Sequence, residues 1–168
     1  MISIFHSNFH FKITFNSFKN LYLILFSPFK EIVNDHFDEK MIKFIINKSY
    51  KNDSDAQCFL GLCYYNGEFI SQDINKSIYY LTLSANQNDD FAQYNLGDIY
   101  YKNRYLSNSI NKAIHYLTLS ANQNNSNAQL YLGMIYYVAE YVTREIDKVI
   151  YYLTLAANQN DDVAQYHL

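Results

Sequence analysis

The chain has 168 residues, 49% of them hydrophobic and 18% aromatic, with 18 tyrosines, 12 phenylalanines, one proline and a net charge of −3. That apolar share excludes a disordered chain, and the length suits a single domain. Charge divides unevenly, with seven basic and four acidic side chains in 1–52 (+3) and six and twelve in 53–168 (−6). The acidic part has no basic stripe and reads against nucleic-acid binding, because phosphate neutralisation supplies most of that affinity.

Residues 1–26 scatter Phe5, Phe9, Phe11, Phe15 and Phe18 among polar side chains. Their one apolar run, Leu21 to Phe26, is too short to cross a bilayer or to form most signal-peptide cores. The segment reads as a poorly ordered or loosely docked tail, with an interfacial membrane anchor as the alternative. His6 and His10 have the spacing of a helical metal pair, but no third ligand is close in sequence, so they read as solvated. From Ser27-Pro28 onward the chain reads as helical, since Ser suits an N-cap and Pro the first helical position. Lys40, Ile42, Phe44, Asn52 and Asp53 return 36 residues later as Lys76, Ile78, Tyr80, Asn88 and Asp89. Residues 38–51 therefore read as a decayed helix, and 27–52 as a cap on the segment that begins at residue 53.

From residue 53 the chain repeats itself every 36 residues. Ala56, Leu60, Gly61 and Tyr64 return as Ala92, Leu96, Gly97 and Tyr100, then as Ala128, Leu132, Gly133 and Tyr136. A fourth copy starts at Ala164 and Leu168. Lys76, Ile78, Tyr80, Leu81 and Leu83 likewise match Lys112, Ile114, Tyr116, Leu117 and Leu119, and then Lys148, Ile150, Tyr152, Leu153 and Leu155. A fixed period of this size means stacked supersecondary units that bury their apolar faces only against one another. The units are 53–88, 89–124, 125–160 and a partial 161–168.

Within each unit the apolar spacing is helical twice over. Helix A is predicted at 54–66 and helix B at 74–87, with the same pair shifted by one and two periods. Asp73 can cap helix B, and Asp89-Asp90 and Asp161-Asp162, which look like paired carboxylates, lie where acids cap the next helix A. Asn88, Asn124 and Asn160 suit the left-handed conformation after helix B. Gly61, Gly97 and Gly133 each cost about 1 kcal/mol in a helix interior, so close helix approach is expected there, with Ala85, Ala121 and Ala157 as partners. The tyrosines around that contact read as packing residues.

The string Ala56-x-x-x-Leu60-Gly61-x-x-Tyr64-x-x-Gly67, then Asp73-x-x-Lys76-Ser77-x-x-Tyr80 and Ser84-Ala85, resembles the Sel-1-like repeat, a relative of the tetratricopeptide repeat. The period of 36 fits it better than the roughly 34 of the tetratricopeptide class. The resemblance implies an all-α solenoid of antiparallel helix pairs with A helices on the concave side, acting as a non-catalytic adaptor for a protein or peptide. It leaves two rivals: a regulatory repeat fragment of a larger signalling protein such as a kinase, and a hydrolase of the cysteine-stapled kind. The helix A-ending glycine kept at Gly67 becomes Asn103 and Ala139; Asn103 can take its left-handed conformation, Ala139 only with strain.

Cys58 and Cys63 lie on one predicted helix with Cα atoms roughly 7 Å or more apart, too far to bridge. Reduced thiols suit the cytosol. No Gly-rich phosphate loop or kinase signature occurs, so no catalytic, cofactor-binding or metal-binding residue is assigned; His115, standing where Tyr79 and Tyr151 stand, reads as a surface variant. Positions that differ among repeats do cluster: Cys58/Tyr94/Leu130, Phe59/Asn95/Tyr131, Leu62/Asp98/Met134 and Asn66/Lys102/Val138 fall within an arc of about 100° on helix A. Tyr94, Asp98, Tyr101, Tyr131, Met134 and Tyr137 on this side are the candidate partner-binding residues, expected to be exposed and of types enriched in interfaces. On this reading Leu96 is core and Asp98 is surface.

Overall fold

The computed structural model describes residues 36–67, 69–103, 108–138, 142 and 145–168. The chain divides into residues 1–40 and 41–168, and all the repeats lie in the second unit. The predicted tail, His6, His10, Ser27-Pro28 and Ala139 lie outside the described residues.

Among the described residues there are eight helices and no strand: α1 (His36–Tyr50), α2 (Ser54–Asn66), α3 (Ile74–Ala85), α4 (Asp90–Lys102), α5 (Ser109–Asn122), α6 (Ser126–Val138), α7 (Ile146–Ala157) and α8 (Asp162–His167). The three A helices, α2, α4 and α6, have the predicted limits, while the B helices α3, α5 and α7 stop one or two residues early. Each A helix packs on the B helix that follows it, and each B helix on the next A, which makes the whole an α-solenoid of antiparallel pairs.

Packing within a pair centres on one leucine from each helix. Leu60, Leu96 and Leu132 on A and Leu81, Leu117 and Leu153 on B are all fully buried. The glycines let the helices meet, as expected, but their partners are these B-helix leucines and not the alanines. A Cβ on Gly97 would lie 2.5 Å from Leu117 Cγ, and one on Gly61 2.7 Å from Leu81 Cγ. Ala85 and Ala121 instead face the next repeat. Their carbonyls, left over at the end of helix B, accept from Gln93 Nε2 and Gln129 Nε2, both at 3.2 Å. The buried Gln57 makes the same bond to Ser49 O at 3.1 Å. Since Ser49 and the buried Ile45 stand one period before Ala85 and Leu81, the end of α1 occupies the place of a B helix.

The junctions follow from local chemistry. Asn52, Asn88, Asn124 and Asn160 all have φ between 63° and 67°, the left-handed turn predicted for the last three. The next residue then caps helix A: Asp53, Asp89 and Asp161 each accept at 2.9 Å from the amide of Ala56, Ala92 and Ala164. Asn125 does the same for Ala128 at 3.1 Å. Gly67 is left-handed at φ 72°, but Asn103 is not. Its φ is −99°, and its amide and side chain both donate to Ile99 O; among the described residues of that loop Asn108 is left-handed, at 61°.

Candidate partner-binding surface on the A helices

Four of the six candidate residues form one cluster. Tyr131 on α6 packs edge-on against Tyr94 at 5.7 Å and Tyr101 at 6.2 Å, both on α4. Its hydroxyl donates to Asp98 Oδ1 at 3.2 Å. The other Asp98 oxygen accepts from Lys102 Nζ at 2.7 Å, and Lys102 reaches back to α2, donating to Tyr65 OH at 3.3 Å with its ammonium 5.5 Å from that ring's centre. One carboxylate thus ties side chains of three successive A helices together. Met134 belongs to the core on which Tyr94, Tyr101 and Tyr131 pack. The Tyr137 ring lies 5.8 Å from the His167 ring.

The exposure expected for this arc is therefore corrected. Met134 and Asp98 are buried, as are Cys58, Phe59, Leu62 and Asn95 at the other variable positions. Tyr94, Tyr101 and Tyr131 are half-buried, and of the six only Tyr137 is exposed, at 42%. Neighbouring A helices lie close enough that variable residues of one repeat fill the space beside the next. Tyr131 does so against Tyr94, Tyr101 and Asp98, and a helical wheel drawn for one helix does not contain that neighbour. Tyr65, one period before Tyr101 and two before Tyr137, belongs to the same row, and the period alone points to it.

The cluster's electrostatics are those of a structural network. Burial, aided by the Asp98 charge, holds the Tyr131 and Tyr94 hydroxyls protonated far above the usual phenol range. Burial works against the charge on Lys102, yet Asp98 and Tyr65 outweigh it and raise its pKa. The buried Cys58 thiol is likewise pushed well up, by burial and then by Asp89, Asp55 and Asp90. At neutral pH the two tyrosine hydroxyls and the thiol stay protonated and Lys102 stays charged. The described residues contain no group of three metal-ligating side chains and no helix long and apolar enough to cross a membrane.

A second repeating arrangement lies where each A helix ends and its B helix begins. Tyr64 stacks on Tyr80 at 5.7 Å, Tyr100 on Tyr116 at 5.9 Å and Tyr136 on Tyr152 at 6.2 Å, all nearly parallel. Lys76, Lys112 and Lys148 lie over the first ring of each pair at 5.2, 5.1 and 4.8 Å. These tyrosines are packing residues, as their sequence positions suggest. The repeating lysine, twelve residues after the first tyrosine, adds a third layer to the stack that the sequence pattern does not disclose.

The model of the Sel1 repeat family matches residues 54–89, 90–125 and 126–161. No curated protein matches the chain. Among solved structures, a protective antigen present in uropathogenic Escherichia coli strains and displaying an SLR fold is similar with a TM-score of 0.71 at 28% identity, over 78% of this chain and 28% of that one. A Sel1 repeat protein from Oxalobacter formigenes is similar with a TM-score of 0.69 at 26% identity, over 76% of this chain and 52% of its own. The chain spans about a quarter of the first relative's length and about half of the second's.

Proposed function

Because this chain belongs to the Sel1 repeat family, whose members generally mediate protein–protein interaction, we propose that it is a non-catalytic cytoplasmic adaptor holding a peptide or protein segment along the concave side formed by its A helices. The observation that carries this reading is the row Tyr65, Tyr101, Tyr137. These residues occupy one repeat position on three successive A helices, the first two half-exposed and the third exposed. Large aromatic side chains with a polar tip are the residue type that anchors interfaces. The rigid scaffold beneath them lowers the ordering cost of binding.

A partner captured by the full chain in a pull-down provides the test. Replacing Tyr101 and Tyr137 together with Ala is expected to weaken that partner by about 2 kcal/mol or more, whereas Lys148→Ala on the B helix does little. Calorimetry reads the affinities, and circular dichroism checks that the variants are folded. Unchanged affinity in the double variant, with a loss in a B-helix surface variant, would move the site to the convex side.

A further inference from the structure

The three lysine–tyrosine–tyrosine stacks agree in geometry and differ in charge. Lys76 lies 3.7 Å from Asp73 and Lys148 lies 2.9 Å from Glu145. The residue one period after Asp73 and one before Glu145 is Ser109. Lys112 therefore covers the Tyr100 ring with no carboxylate partner among the described residues. A groove of about 420 Å³ opens beside it, within the range of small-ligand sites. Thr82 of the first repeat forms one wall. Tyr100, Asn108, Asn111, His115 and Tyr116 of the second, with Lys112, form the rest. Among the described residues no carboxylate lines this groove, although residues 53–168 carry twelve acidic and six basic side chains. Asn108 spends no side-chain bond on capping α5, so its amide, the Asn111 amide and the Lys112 ammonium are donors lacking an acceptor of matching charge.

We propose that this groove is a second binding site, which takes the carboxylate of a glutamate or aspartate side chain from an acidic peptide segment. Lys112 pairs with the carboxylate, the two asparagine amides donate to it or to the adjoining peptide carbonyls, and the Tyr100 and Tyr116 rings support the aliphatic stem. The repeat array supplies its own acid at this place in repeats one and three and omits it in repeat two, so the incoming carboxylate replaces the missing partner. The site involves different residues from the A-helix tyrosine row and rests on the adaptor reading only in taking a peptide as the carrier.

The full ¹⁵N-labelled chain titrated by NMR with the probe acetyl-Gly-Glu-Glu-Gly-amide tests the assignment. Saturable shifts are expected at the amides of Asn111, Lys112 and His115, and none with the matching Gln-Gln peptide. Lys112→Gln is expected to weaken binding about tenfold or more, the scale of one charge-assisted hydrogen bond, while Lys76→Gln leaves it unchanged. The Tyr101/Tyr137 alanine variant is expected to retain the acidic peptide, which separates this site from the adaptor surface. Binding that survives Lys112→Gln, or disappears in the tyrosine variant, would overturn the proposal. So would inorganic phosphate competing at equal affinity, since the groove would then be a general anion site.

Discussion

Gly97 sets how closely α4 and α5 approach. A methyl group there would sit 2.5 and 2.8 Å from Leu117 Cγ and Cδ2 and 3.2 Å from the Leu117 backbone nitrogen, so moving the leucine side chain would not relieve the contact entirely. Gly97→Ala gains about 1 kcal/mol in helix propensity, but overpacking costs about 1–3 kcal/mol. A net loss is expected in a urea titration; a gain would mean the pair can separate freely. Asp98 and Leu96 make a complementary comparison. Leu96 is fully buried, and Leu96→Ala is expected to cost about 2–5 kcal/mol through transfer and cavity terms. Read as surface, Asp98 should cost less than about 0.5 kcal/mol on truncation. Its contacts with Lys102 and Tyr131 change that expectation to about 1–3 kcal/mol, because Tyr131 keeps a half-buried hydroxyl without its acceptor. The same titration separates the two values.

At the scale of the element, what was legible depended on whether the governing interaction is local. The A-helix limits follow from an aspartate or asparagine cap at one end and the left-handed asparagine before it, all within a few residues. The predicted B-helix ends lie one or two residues beyond the observed ones because the chain leaves α3 at Ala85 and turns through Asn86, Gln87 and Asn88, residues that a hydropathy pattern leaves undecided. Contacts across 30 residues were not legible at all. Gln87, Gln123 and Gln159 donate to Gln57, Gln93 and Gln129 at 2.7, 2.8 and 2.8 Å, and the latter three in turn bond the carbonyl ending the preceding helix. The glutamines of this polar ladder recur with the period of 36, but recurrence alone does not disclose what they bond. A helical wheel assigns glutamine to solvent, however, and does not show that the B-helix end arrives with an unsatisfied carbonyl. The exposure expected of the arc differs for the same reason: the neighbouring helix whose Tyr94 and Tyr101 half-cover Tyr131 lies one period away.

At the scale of the whole molecule, the shifted tyrosines are spread over all three repeats, and their ionisation should act on the array as one cooperative unit. Tyr80 is pushed up to about 12, by burial first and then by Tyr50, Tyr64 and Tyr79. Tyr94 and Tyr131 are displaced further, and Tyr100 and Tyr152 are raised chiefly by burial. A folded-state pKa above the unfolded value of about 10 gives stability that is fully present below that pH. It is lost as pH rises through the folded values, because the unfolded chain releases its protons first. Lys102, also raised, adds to the loss with the same sign. Circular dichroism is therefore expected to hold from neutral pH to about 10 and then to fall together with a rise in tyrosinate absorbance. Each repeat is stabilised mainly by its neighbours, so the two signals should share one transition. Tyr131→Phe supplies the control: it removes a titrating group and the bond to Asp98, so the protein should be less stable at neutral pH yet lose stability less steeply above 10. An unchanged slope, or unfolding well before any tyrosine ionises, would show that alkaline stability is set elsewhere than in these buried hydroxyls.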